Sequence, residues 1–171
     1  DADLSTPIEF AGALLQELQD GADLVLGSRG RPGARILLPQ PLYRRMGARV
    51  FNRLRDATLG SHRFIDSQCG FKGFRGNLAR FLFSQVQVEG FMFDVEVLHL
   101  ATCLGCRIRE VPVDWANAPG SKLRVVRDTV RMMRDLAAIR RNHRDFSPQT
   151  IFTTVCDQGR RCPLGRSLPR N

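Results

Sequence analysis

A chain of 171 residues with 43% apolar composition is long enough for one domain with a real core and too apolar for a disordered class. Its net charge of +9, from 26 Lys+Arg against 17 Asp+Glu, directs attention to an anionic partner: nucleic acid, an anionic membrane surface or a phosphorylated substrate. No apolar run approaches the roughly 20 residues that cross a bilayer, so any membrane contact of this stretch is expected to be peripheral.

Asp1-Ala2-Asp3 opens the chain, and Thr6-Pro7-Ile8-Glu9 follows with the signature of a helix start. Thr6 stands at the N-cap, Pro7 at the first helical position and Glu9 where a capping box closes. That helix runs through Leu14, Leu15 and Leu18 to Asp20-Gly21, and residues 23–27 read as a short buried strand. A Gly/Pro-rich stretch then runs to Pro41, too irregular for an element. Helical period returns over 42–59, with Leu42, Met46, Val50 and Leu54 at intervals of four. Arg44, Arg45, Arg49, Arg53 and Arg55 are expected to cover its remaining surface.

Residues 66–74 read as a strand with loop ends, and Asn77 is placed to cap a helix carrying Leu78, Phe81 and Leu82. Another helix spans 93–104, closed by Gly105. Residues 107–115 fit an edge strand, since Pro112 cannot donate to a ladder on both sides. A last helix is expected over about 122–141. Its apolar line is Val126, Val130, Met133 and Ala137, and a basic stripe of Arg124, Arg127, Arg131 and Arg134 runs beside it. From His143 onward the pattern fails, and disorder is expected over 143–171. The alternation of helix and strand makes the fold class α/β.

The cysteines, Cys69, Cys103, Cys106, Cys156 and Cys162, are odd in number and form no compact framework, so reduced thiols in a cytosolic compartment are expected. A four-thiolate zinc site built on Cys103-x-x-Cys106 and the later pair competes with a plainer reading. In that reading Cys103 packs on a helix and Cys106 begins a strand.

Asp1 and Asp3 offer hard oxygen ligands, the chemistry Mg²⁺ or Mn²⁺ takes alongside substrate phosphate and water. Two solvated acids in a loop are the alternative. Further on stand Gly27-Ser28-Arg29 at a strand end, Gln40-Pro41 before the basic helix, and Asp66-Ser67-Gln68-Cys69-Gly70-Phe71-Lys72. Then come Gly90-Phe91-Met92-Phe93-Asp94-Val95-Glu96, Val113-Asp114-Trp115 and Gly120-Ser121-Lys122. In that order and spacing, the set from Asp1 to about Arg141 resembles the family 2 glycosyltransferases with a GT-A fold. Within them it looks most like the dolichyl- or polyprenyl-phosphate β-glucosyltransferases, with the phosphomannose synthases as cousins.

The resemblance implies a partial GT-A domain, a Rossmann-like nucleotide-diphospho-sugar transferase fold without its N-terminal βα units. The catalytic portion would cover 1–118, a basic amphipathic helix at the membrane interface 119–142, and a tail 143–171. Asp1 is the first residue and no strand precedes it, so the chain is expected to be the second half of an enzyme, inactive or nearly so alone. By the same resemblance Asp1 and Asp3 would bind the metal, and Arg29, Gln68 and Lys122 the donor phosphate or sugar. Arg44, Arg45, Arg124 and Arg127 would meet the acceptor phosphate. Asp66, Asp94 and Glu96 would be the catalytic acids of the site.

The implied reaction transfers glucose from UDP-glucose to a dolichyl or polyprenyl phosphate with inversion, at the cytoplasmic face of a membrane. A sugar hydroxyl acceptor needs a general base, whereas a lipid phosphate is already an oxyanion and needs positioning and charge compensation. An Arg-rich, His-poor chain suits the second task; His62, His99 and His143 show no evident partners. Rival readings are a GDP-mannose-dependent polyprenyl-phosphate mannosyltransferase, a family 2 enzyme acting on a saccharide hydroxyl, and a non-enzymatic basic module for lipid or nucleic acid. No nucleic-acid motif with interleaved aromatics is present, so no nucleic-acid partner is expected.

Plainer roles stand beside the functional ones. Asp66 fits a turn cap, and Lys122 an ordinary first-turn lysine. Asp94 and Glu96, two apart on a helix, do not face alike, so one is expected to face solvent. Trp115 reads as a core or interface anchor. Phe91, Met92 and Phe93 fit either core or an apolar acceptor approach.

Overall fold

The computed structural model describes residues 5–38, 42–60, 64–116 and 125–146. A 3-10 turn at Ile8–Phe10 leads into α1 (Ala11–Gln19), and the buried strand β1 (Leu24–Ser28) follows. Next come β2 (Ile36–Leu38), α2 (Leu42–Leu59), β3 (Lys72–Phe74), α3 (Gly76–Gln85), α4 (Phe93–Cys103), β4 (Ile108–Pro112), β5 (Trp115–Ala116) and α5 (Val125–Asn142). It is a mixed α/β arrangement with two small sheets. One has the order β3-β1-β4, antiparallel on the β3 side and parallel on the β4 side. The other pairs β2 with β5 in parallel.

All five residues of β1 are buried, and its alternation divides the core in two. Leu24 and Leu26 join Leu78 and Leu82 of α3 with Leu98, Leu100 and Ala101 of α4. Val25 faces the other way, into Leu14, Cys69, Phe71, Val111 and Val113. The sheet is therefore sandwiched between α1 and the α3–α4 pair. A third cluster lies apart from it: Val88, Met92 and Val95 meet Leu136 and Ile139 of α5, with Phe51 and Leu59 of α2 packed against them.

Two glycines are needed where they stand. A Cβ on Gly27 would lie 3.0 Å from the Phe71 carbonyl oxygen and 3.1 Å from Val113, so β1 accepts only glycine without a shift of its neighbours. Gly105 has φ 68° and ends α4 in the left-handed conformation, with the Cys106 amide returning to the Ala101 carbonyl at 3.0 Å.

Several local expectations change. The first helix begins with a 3-10 turn, and neither of its cap residues, Pro7 and Phe10, makes a side-chain cap bond. Arg75, extended at φ −66° and ψ 132°, precedes α3, and the Asn77 side chain instead accepts from Arg80 at 2.7 Å. Only residues 72–74 of the expected 66–74 strand are extended into a ladder. The stretch read as irregular before Pro41 contains β2, whose partner β5 is the end of the single edge strand expected over 107–115. The chain leaves β1 after Val113, whose amide donates to the Ser28 carbonyl at 3.2 Å, and Asp114 receives the Arg35 guanidinium at 3.1 Å.

The helix over 42–59 has the expected bounds but not the expected inner face. Leu42 is 72% exposed, Met46 64%, Val50 54% and Leu54 40%, whereas Arg55 is 1% exposed. Likewise α5 buries Leu136 and Ile139, leaving Val130 of the expected apolar line exposed. His143 is buried and Phe146 packs on the core, so residues 143–146 extend the fold past the expected boundary. Residues 147–171, with Cys156 and Cys162, lie outside the described residues.

Candidate functional site

Charged side chains from distant segments converge at the C-terminal edge of β1. Arg29 follows Ser28 directly, and its guanidinium forks onto Asp66, Nε to Oδ2 at 2.5 Å and Nη2 to Oδ1 at 2.8 Å. The Arg29 backbone amide donates to Asp66 Oδ2 at 3.1 Å, and the Gln68 amide to Oδ1 at 3.2 Å. The guanidinium also stands over the Trp115 ring, with Cζ 5.0 Å from the centroid, so cation–π attraction and the fork orient it together.

Burial pushes the Asp66 carboxyl up, but the hydrogen bond and charge of Arg29 more than offset this and leave it below the ordinary carboxylate range. For Arg29, burial pulls down and Asp66 pushes up, and the guanidinium ends above its usual value. Both groups are ionised at neutral pH. An acid held this way is a poor proton acceptor there, and serves instead as an oriented negative acceptor.

Two residues given no part in the site from sequence hold the Asp66 loop. Arg55 reaches from α2 to Ser67 Oγ at 2.6 Å and the Phe64 carbonyl at 3.1 Å, while Asp56 compensates its charge at 2.6 Å. Glu110 on β4 accepts from the amides of Ile65 at 2.8 Å and Asp66 at 3.3 Å, and from Arg31 at 3.1 Å. Arg55 had been expected on the surface. Its spacing of four from Phe51 and Leu59, both packed inward, was the available signal.

Asp94 stands at the start of α4 and accepts from Lys72 Nζ at 2.8 Å; that ammonium also donates to the Cys69 carbonyl. Because Lys72 pairs with Leu26 across the sheet, this ion pair lies at the same strand edge as Arg29. Burial pushes the adjacent Cys69 thiol up, so it is a packed thiol and no nucleophile.

Glu96 has a different setting. It is fully buried, accepts from the amides of Gln87 at 3.1 Å and Val88 at 2.8 Å, and lies 2.6 Å from His143 Nε2. Neither Asp94 nor Glu96 is the solvent-facing acid expected from their spacing. His143 has a partner after all, and His99 lies beside it with ring centroids 6.4 Å apart. Burial, then His143, hold His99 below its usual value, opposed by Glu96.

Among the described residues, two buried side-chain atoms make no hydrogen bond: Ser28 Oγ and Gln68 Nε2. Both flank the Arg29–Asp66 fork. A buried amide donor without an acceptor is costly, and a ligand oxygen relieves that cost.

Of the other expected site residues, Arg45 is exposed on α2. Asp1, Asp3, Lys122 and Arg124 lie outside the described residues, as do the side chains of Arg44 and Arg127. Among the described residues, no group of three His, Cys, Asp or Glu is arranged to hold an ion. No described helix is long and apolar enough to cross a membrane.

No protein-family model matches the chain. It is 43% identical to a dolichyl-phosphate beta-glucosyltransferase of Dictyostelium discoideum over 75 residues, which are 44% of this chain and 23% of that protein. A dolichyl-phosphate beta-glucosyltransferase of Trichomonas vaginalis is 30% identical over 149 residues, 84% of this chain and 45% of the relative. A glycosyltransferase of Haloferax volcanii is 32% identical over 133 residues, 77% of this chain and 21% of the relative. The chain spans less than half the length of each of these relatives.

Proposed function

We propose that this chain, a homologue of dolichyl-phosphate beta-glucosyltransferases over the stretch it shares with them, is the acceptor-side part of a GT-A glycosyltransferase of family 2. The reaction is transfer of glucose from UDP-glucose to a dolichyl or polyprenyl phosphate, with this stretch lying at the cytoplasmic membrane face. The observation that carries this reading is the Arg29–Asp66 fork over Trp115 with the unpartnered Gln68 amide beside it. A pyranose presents oxygens that both accept and donate, so Gln68 Nε2 donates to one hydroxyl oxygen while the exposed edge of Asp66 accepts a hydrogen bond from another hydroxyl. In this reading Asp66 orients sugar and abstracts nothing.

The lipid phosphate carries its own negative oxygen and attacks the anomeric carbon from the side opposite the diphosphate. A new C–O bond forms as the bond to the diphosphate oxygen breaks, inverting the anomeric centre. No proton has to move. The chain's own tasks are to hold the sugar face with Gln68 and Asp66 and to spread positive charge where two phosphates approach, with Arg29 a described cation assigned to that task. Arg44, Arg45, Lys122, Arg124 and Arg127 are the further cations assigned to phosphate. Asp94, steadied by Lys72, lies at the acceptor side. Glu96 is reassigned within this proposal: with two amides and His143 bound to a buried carboxylate, its part is to fix the start of α4.

Asp1 and Asp3 would hold Mg²⁺ or Mn²⁺, and hard carboxylate oxygens suit either ion. Such an ion supplies charge compensation to the departing diphosphate. Two residues after Asp3, the Ser5 carbonyl accepts from the Ala116 amide at 3.0 Å, beside Trp115 and hence beside Arg29. That bond supports assigning the acid pair to the same site.

The test is transfer of labelled glucose to a polyprenyl phosphate by the protein that carries this chain, with UDP-glucose and GDP-mannose in competition. The reading expects UDP-glucose to be used and Arg29→Lys to lower kcat/KM about a hundredfold, a loss near 2.7 kcal/mol. Preferential use of GDP-mannose would replace the donor assignment. Transfer to a saccharide hydroxyl in preference to the polyprenyl phosphate would sink the phosphate acceptor.

A further inference from the structure

The outer face of α2 takes no part in the core, and its pattern is not that of an ordinary solvated helix surface. Leu42, Met46, Val50 and Leu54 recur every fourth residue with exposures of 72, 64, 54 and 40%. At about 100° per residue, each step of four advances by about 40°, so the four cover about 120° of the helix circumference. One residue before each of the last three stand Arg45, Arg49 and Arg53, all exposed. They form a cationic line about 60° from the apolar line at its nearest steps, on the same outward side. The inward side is occupied by Phe51, Arg55 and Leu59.

We infer that this face is an interfacial seat on an anionic lipid surface. Leu42, Met46, Val50 and Leu54 enter the boundary between headgroups and acyl chains, while Arg45, Arg49 and Arg53 stay among the lipid phosphates. An apolar strip of this width, flanked by arginines on a helix of low overall hydropathy, is the composition that lies in a membrane interface. A second copy of the chain is a poorer occupant, because antiparallel two-fold pairing of this face would set the arginine lines of both copies against each other. The assignment differs from the one drawn from sequence, which gave the membrane contact to α5; that helix spends Leu136 and Ile139 on the core. It deepens the lipid-linked acceptor reading and rests on it for biological sense, yet vesicle binding needs no donor, so the two fail separately.

The experiment is flotation of the protein with phosphatidylcholine vesicles, with and without phosphatidylserine. Binding is expected only with phosphatidylserine and is expected to weaken as salt rises. Met46→Gln with Val50→Gln should lower partitioning about tenfold or more, and Arg49→Gln with Arg53→Gln about 30-fold. Both pairs are exposed, so circular dichroism and the melting transition should not change. Val130→Gln on α5 should leave partitioning as it was. Unchanged partitioning in either double variant, equal binding without phosphatidylserine, or an effect confined to Val130→Gln would each overturn the proposal. So would sedimentation showing a dimer that Met46→Gln with Val50→Gln dissociates while vesicle binding persists.

Discussion

Asp66 and Glu96 are both carboxylates with a nitrogen partner about one hydrogen bond away, 2.5 Å for Arg29 and 2.6 Å for His143. Their surroundings separate them. The Glu96 side chain has no exposure, and every neighbour on it is a donor from the protein. The Asp66 side chain keeps 10% exposure, and beside it a Gln68 amide donor has nothing to give to. One centre is closed and complete, as a structural joint is. The other is organised by Arg55, Glu110 and Trp115 and left incomplete on one side, as a binding site is. Residue type and distance alone would rank the two alike; satisfaction of the surrounding polar atoms distinguishes them.

The largest expected effect tests the closed centre. Glu96→Ala strands the Gln87 amide, the buried Val88 amide and buried His143, and should lower the unfolding free energy in urea by about 3–5 kcal/mol. Activity per folded molecule should then be little changed; a large loss of activity at unchanged stability would reverse the roles of the two acids. At the open centre, Asp66→Asn should lower kcat/KM for transfer about a hundredfold, equivalent to about 2.7 kcal/mol. The same substitution should lower stability by less, about 1–2 kcal/mol, because Arg29 keeps its ring contact and an amide oxygen still accepts.

Gln68→Leu sharpens the contrast further. Removing an amide whose donor has no partner should leave the melting temperature unchanged or raised, while KM for the sugar donor rises about tenfold. A loss of stability with KM unchanged would show that the amide is satisfied inside the protein.

The smallest effects are in pH. Asp66 has a lowered folded value, so its contribution is present above the unfolded carboxylate value of about 3.9 and is lost as pH falls through the folded one. His99 is also lowered, so below about pH 6.5 the unfolded chain takes up its proton first and stability declines. Denaturant midpoints measured from pH 7 to 5 should fall, and His99→Gln should flatten that slope. A slope unchanged by the substitution would assign it to another group.

The parts legible in sequence were those with a repeating pattern. The bounds of α2, the buried run of β1 and the Gly105 stop of α4 follow from periodicity and backbone chemistry, and Arg29 and Asp66 from ordered motifs. The parts missed depend on partners far along the chain. β2 and β5 are three and two residues long and exist through pairing across almost eighty positions. His143 looked solitary because Glu96 is 47 residues away. Arg55 looked like a surface charge because charge is normally outside, and only its spacing from Phe51 and Leu59 marked it as inward. The apolar line of α2 was visible, but amphipathic pattern does not say which face meets the protein and which meets something else.

Arg55 has a mechanical meaning as well as an electrostatic one. It leaves α2 on the side opposite the exposed strip and ends on Ser67 and the Phe64 carbonyl, immediately around Asp66. A flexible lysine in that position would let the helix roll while the loop stayed still. The planar guanidinium, fixed at several points, acts as a crank between them. Turning α2 about its axis by a single residue would pull those bonds apart, so the helix and the Asp66 loop keep one orientation together. Whatever surface sets the roll of α2 therefore also sets the attitude of the acid at the other end.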